Sequence, residues 1–190
     1  MILAGILLKL GGIGLLRFNN FLRNMQASNI FIMVRLIGII LVGATCLFLT
    51  DLKKIIAFSS VAHIGFSILF LRIKTQSRVI IGVMILLAHG FRSSGIFFMV
   101  YIFYLNSNSR NLVLNIGILR VQPVLRFFWL IIIIARLGGP PTINLLAEIW
   151  AFILSFIILF KYRIILVLRF ILASIYHFII YRTITQGDTM

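Results

Sequence analysis

The chain has 190 residues, is 62% hydrophobic, and carries a formal charge of +15 from 18 basic and three acidic residues; its mean hydropathy is +1.18. An apolar share well above the half expected of a soluble domain excludes an ordinary soluble fold and marks a membrane protein. The charge does not mark a nucleic-acid binder, because the basic residues are scattered singly through apolar segments, with no stripe and no recognition motif.

Apolar runs of about 17 to 25 residues read as spans. The first covers residues 1–18, "MILAGILLKLGGIGLLRF", which is short and begins without a polar flank, as if the chain starts inside a helix. Further runs cover 30–49, 53–72, 79–105, 121–137, 142–161 and 163–182, and the polar stretches "NNFLRNMQASN", "RIKTQS" and "NSNSRN" are short loops between them. The pair either side of Gly138, Gly139, Pro140 and Pro141 reads as one broken helix, giving roughly six helices. The fold class is an all-α polytopic membrane bundle with a discontinuous helix. Backbone freed by such a break must be satisfied by protein or water, since lipid offers no partners. The break is therefore expected to be buried or to line a cavity, a device that ion transporters use for midplane sites and that other bundles use simply as a kink.

Ionisable residues inside spans are candidates for function. Lys9 lies near the middle of its run, and the small residues Gly5, Gly11, Gly12 and Gly14 around it would let neighbouring helices approach closely. Its central position favours an inward-facing amine over one that snorkels to the interface. His63 in "SSVAHIGF" and His89 in "LLAHGFRSS" are each closely followed by glycine. An imidazole donates at one nitrogen and accepts at the other, so histidines and waters can pass protons; a lone histidine is more often hydrogen-bonded core. His177 in "IYHFII" lacks such company and reads as structural. Glu148 follows the proline pair by about two turns and is either a proton site or one half of a structural ion pair.

At "TDLKKIIAFSS", Thr50 or Asp51 is placed to cap a helix, with Lys53 and Lys54 at the membrane surface. The single cysteine, Cys46, lies in an apolar run and offers neither a disulfide framework nor a metal site. No phosphate loop, dinucleotide fingerprint, catalytic triad or metal-ligand cluster is present, so neither redox nor hydrolytic chemistry is expected within the chain.

Taken together, "MILAGILLKLGGIGLLRF", "TDLKKIIAFSSVAHIGF", "LLAHGFRSSGIFF" and "GGPPTINLLAEIW" resemble the antiporter-like membrane subunits of respiratory complex I, NADH:ubiquinone oxidoreductase, in the mitochondrial subunit 4 branch. The four motifs are specific as a set, and the resemblance covers nearly the whole chain, weakest over 19–34 and 105–125. It implies two inverted five-helix repeats, with residues 1–29 forming the last helix of the first repeat plus a loop and 30–190 the second repeat. It implies roles in proton translocation for Lys9, His63, His89 and Glu148, the last separating this branch from the sister subunits 2 and 5, which carry lysine there. It also implies a multi-pass protein of the mitochondrial inner membrane, driven by NADH oxidation and ubiquinone reduction in other subunits. Those subunits carry the FMN and iron-sulfur clusters, and no cofactor is expected in this chain. Expected partners are the other membrane-arm subunits, including the antiporter-like subunits 2 and 5, together with the lipid bilayer and no nucleic acid. Rival functions are a free-standing cation/proton antiporter and a membrane-arm piece that no longer conducts.

The chain also departs from the family pattern. The glutamate and lysine that admit protons in the first repeat have no counterpart here, so a separate chain supplying the N-terminal half is expected, or a longer protein. Arg35, Arg92, Arg126, Arg136 and Arg182 stand where relatives usually have small or uncharged residues, whereas Arg17 matches a family arginine. A mid-span arginine costs about 2.5–3.5 kcal/mol on insertion scales. We therefore expect some of the five to be serine, because many invertebrate mitochondria read AGA and AGG as serine where the standard code gives arginine.

Overall fold

The computed structural model describes residues 6–19, 28–71, 76–140, 142–158 and 163–186. Among them are seven α-helices: α1 (Leu8–Asn19), α2 (Ser28–Phe48), α3 (Leu52–Leu71), α4 (Gln76–Ser107), α5 (Pro123–Arg136), α6 (Ile143–Ile158) and α7 (Arg163–Gln186). The spans expected from hydropathy each coincide with one helix, and the architecture is the expected all-α membrane bundle. Leu52–Phe70, Val79–Ser107 and Arg163–Gln186 are long and apolar enough to cross a bilayer. The two halves of the broken helix are not, each alone: α5 has 14 residues and α6 has 16, about 21 and 24 Å at 1.5 Å per residue, against a hydrocarbon layer of about 30 Å.

The helices close into a ring. α2 packs on α3, α3 on α4, and α4 on both α5 and α6, while α7 touches α2, α5 and α6; α1 lies outside the ring against α3 and α4. The approach of α1 is set by Gly12, where a Cβ would come within 2.6 Å of Leu86 Cδ1 on α4. Gly11 and Gly14 face open space, so only one of these glycines serves the close contact expected of the group, and Gly5 lies outside the described residues.

Two dry clusters fill the ring at different heights. One joins Ile55 and Ile56 of α3 to Phe103 of α4, Trp129 of α5 and Ile180 and Ile184 of α7, with Trp129 edge-on to Phe103 at 5.1 Å. Cys46 belongs to this cluster as a buried free thiol. The other joins Leu36 of α2, Phe66 and Phe70 of α3, Ile81 and Ile85 of α4, Ala147 and Ala151 of α6 and Leu166 of α7. Between them in three of the helices come buried polar residues: Ser59, Ser60 and His63 in α3, His89, Arg92 and Ser93 in α4, and Arg169 and His177 in α7. These lie away from the ends of long helices, which makes a polar layer across the bundle with an apolar layer on each side.

The connection from α4 to α5 stitches the ends of the ring. Leu52 N–H donates to Arg110 O at 3.0 Å and Leu112 N–H to Thr50 O at 2.7 Å, while Gly117 N–H reaches Thr183 O and Leu119 N–H reaches Ile184 O. Asp51 sits just before α3, and its carbonyl accepts from Ile55 N–H. Its carboxylate faces Lys54 Nζ at 3.8 Å, so Asp51 starts the helix through its backbone, with its side chain engaged by the lysine one turn on.

Candidate functional site

The break between α5 and α6 shows how sequence dictates local geometry. Arg136 ends α5, Leu137 follows, and Gly138 takes φ +74°, a left-handed conformation that costs a residue with a Cβ about 1–2 kcal/mol. Gly139 N–H then reaches back to Ile134 O at 2.8 Å, the six-to-one bond that closes a Schellman helix end. At Gly139 a Cβ would collide with Ile134 Cγ2. Thr142 Oγ1 donates to Gly139 O at 2.7 Å, and Asn144 Nδ2 to Ala135 O at 3.4 Å. The carbonyls of Ile134, Ala135 and Gly139 are thus satisfied by the chain itself, as an intramembrane break requires. Pro140 follows this turn, and Pro141 lies outside the described residues.

Glu148, on α6, folds back over the break. A Cβ on Gly138 would lie 2.7 Å from Glu148 Oε2, so the absence of a side chain there makes the room in which the carboxylate sits. Its other oxygen faces Arg92 Nη1 at 3.7 Å. Arg92 is a junction: Nη1 also donates to Arg136 O at 3.3 Å, and Nη2 donates to His63 Nδ1 at 3.1 Å. Arg136 in turn donates to Ser59 Oγ. Arg169, from α7, donates to His63 Nδ1 at 3.4 Å and lies over the Phe66 ring with its guanidinium carbon 3.5 Å from the ring centre, a cation–π contact that helps hold the charge in the layer.

His63 and His89 stack at 5.7 Å between ring centres, 28° from parallel. Lys9 is partly buried on α1, the helix that packs against α3 and α4. The structure brings His63, His89 and Glu148 into one cluster. His89 stacks on His63, and His63 connects through Arg92 to Glu148.

Several members of this layer were not anticipated. Of the five suspect arginines, Arg92 and Arg136 are buried in it, Arg126 and Arg182 are exposed, and Arg35 is half-buried. Arg169 was not among them, although "VLRFIL" places it in an apolar run as surely as the others. His177, structural by its sequence context, is buried with Nδ1 on the Ala173 carbonyl, and its ring centre lies 6.3 Å from His63. In the structure Leu166, Arg169, Tyr176, His177, Ile180 and Ile184 are all buried, the one-sided spacing of a helix facing a core, but apolar residues on every side of α7 leave no such stripe legible in its sequence. Chemically the layer can hold and pass protons at imidazole, amine and carboxylate groups, but a guanidinium stays protonated and can only orient and bias its neighbours. Among the described residues no group of three or more His, Cys, Asp or Glu is placed to hold a metal ion.

Comparison with known proteins gives the same direction. The family model for the transmembrane part of NADH:quinone oxidoreductase and Mrp antiporters matches residues 1–176. Relatives named NADH-ubiquinone oxidoreductase chain 4 include one from Aedes aegypti, 42% identical over 151 residues that make up 78% of this chain and 34% of the relative. One from Apis mellifera ligustica is 32% identical over 190 residues, 98% of this chain and 42% of the relative. One from Tropidolaemus wagleri is 38% identical over 151 residues, 78% and 65% respectively. The chain thus spans 34% and 42% of the length of the first two of these relatives.

Proposed function

Because the chain belongs to the NADH:quinone oxidoreductase/Mrp antiporter transmembrane family, we propose that it is the later part of a chain 4 subunit in the membrane arm of respiratory complex I and carries protons there. In this reading residues 1–29 close a first inverted repeat and 30–190 form the second. The preceding half comes from another chain or from a longer form of this one. Antiporter-like subunits 2 and 5 are its neighbours, the mitochondrial inner membrane is its location, and FMN, iron-sulfur clusters and ubiquinone belong to other subunits.

The observation that carries the reading is the polar layer held between two dry clusters. Apolar packing above and below opposes leakage straight across the bundle, while His89, His63 and Glu148 lie within the layer and Lys9 stands on α1 against α3 and α4. Lys9 holds a proton at its Nζ, the stacked histidines pass it sideways with water, and Glu148 receives it beside the helix break. Arg92 stands between His63 and Glu148. As a permanent cation it sets the field there, and a proton passes it when it gives up His63 Nδ1 and draws closer to the carboxylate. Moving one charge against 100 mV costs about 2.3 kcal/mol, work that electron transfer in neighbouring subunits supplies.

A second reading, a structural piece that no longer conducts, is favoured by the two guanidinium groups on His63 Nδ1, which occupy the nitrogen a relay needs. Lys9→Ala in the assembled complex separates the two. Proton conduction here predicts fewer protons pumped per NADH oxidised, and an unchanged ratio would support the structural reading. Sodium-dependent transport by the purified chain without complex I partners would instead favour a free-standing antiporter.

A further inference from the structure

The chain has three histidines, and the third stands outside the path just drawn. His177 is 1% exposed, and its Nδ1 lies 2.6 Å from the carbonyl oxygen of Ala173, one turn back on α7. A carbonyl only accepts, so Nδ1 carries the hydrogen, and Nε2 of the neutral ring is an acceptor. That Nε2 is buried without a partner in the chain. His63 is the complement. Its Nδ1 accepts from Arg92 and Arg169, which leaves the hydrogen on Nε2, likewise buried and unpartnered.

A donor and an acceptor that each lack a partner thus belong to neighbouring rings. Their centres are 6.3 Å apart and tilted 41°. This is too far for a direct bond between ring nitrogens and suits one bridging water.

We propose that His177 is a proton-holding residue that takes the proton from His63 and returns it during each passage. When a guanidinium withdraws and a proton reaches His63 Nδ1, the ring becomes imidazolium. His63 Nε2–H then passes its proton to the bridging water, and the water passes a proton to His177 Nε2. His63 is left neutral with its hydrogen on Nδ1, and His177 holds the positive charge. Onward travel is closed, because Nδ1 of His177 is tied to a backbone carbonyl and the next turns of α7 bring Ile180 and Ile184 of the dry cluster. The proton leaves through the nitrogen by which it came. The other charged groups that act on the ring are Arg92 and Arg136, with the Tyr176 ring in contact at 4.3 Å.

This proposal rests on the proton-conducting reading, and its test uses the assembled complex in proteoliposomes. In His177→Asn the side-chain amide still reaches the Ala173 carbonyl, and in His177→Gln a polar atom stays near the Nε2 position, but neither titrates. Both variants are expected to assemble at normal levels and to pump about tenfold more slowly or worse; wild-type pumping by either would overturn the assignment. Failure of the underlying reading is distinguishable, since Lys9→Ala would then pump normally as well. Nitrogen NMR of the unsubstituted complex, labelled in the histidines of this chain, gives an independent measurement that needs no variant to fold. A neutral ring with its hydrogen on Nδ1 is expected alongside one with its hydrogen on Nε2, and finding only the Nε2–H form would overturn the proposal.

Discussion

Glu148→Gln removes the one carboxylate that faces Arg92, and the cost follows from the geometry. The pair is 3.7 Å apart, with side chains 4% and 13% exposed. At an effective dielectric near 20, two unit charges at that distance attract by about 4 kcal/mol, and breaking one side of a buried pair costs about 3–5 kcal/mol because the remaining charge stays buried. Arg136 and Arg169 share the layer, so the loss leaves three guanidinium groups around one empty counter-charge position. Such a loss lowers the folded-to-unfolded ratio of the subunit by about a hundredfold or more, at 1.4 kcal/mol per factor of ten. The assay is the amount of this subunit in the purified complex, measured beside proton pumping per NADH. The double variant Arg92→Gln/Glu148→Gln removes both charges and is expected to recover most of the assembly while pumping stays low, since no carboxylate remains to take the proton. If the double variant assembled no better than Glu148→Gln, the ion-pair argument would be wrong; if it assembled and pumped like wild type, Glu148 would have no place in the path.

Gly138→Ala forces a Cβ into a left-handed position, φ +74°, at a cost of about 1–2 kcal/mol, and also pushes on Glu148 Oε2, 2.7 Å away. Pumping should fall together with subunit stability, and an alanine variant that matched wild type in both would show that the break does not seat the carboxylate. Peptide mass spectrometry of the purified protein across Arg35, Arg92, Arg126, Arg136 and Arg182 tests our proposal that some of these are serine. Arginine at all five would overturn it, whereas serine at 92 would remove the partner on which the Arg92–Glu148 cycle depends.

Much of the bundle was legible in order along the chain. Runs of apolar residues long enough to cross a bilayer can only be helices, since lipid leaves backbone groups no other partner, and so α2, α3, α4 and α7 were marked by composition alone. The break was legible for an equally local reason: two glycines followed by two prolines cannot continue a helix. Lys9, His63, His89 and Glu148 stood out because ionisable groups are rare in apolar runs. The glycines around Lys9 were less informative, because a small side chain permits a close approach without choosing which helix makes it, and only Gly12 meets one.

Sequence by itself determined the membrane class, the helix positions, the broken helix and the identity of the titratable residues, because each follows from chemistry within a few turns of chain. Tertiary structure decided which of those residues meet. His63 lies 26 residues from His89 and 114 from His177, and no local rule could bring the three into one layer or place Arg169 on His63. Their convergence comes from closing the ring of helices, where the dry clusters above and below leave the middle of each helix as the place for buried polar groups to find one another. The seat of Glu148 is of the same kind. It depends on the left-handed turn at Gly138 aiming α6 back across the end of α5, and on Arg92 arriving from a different helix.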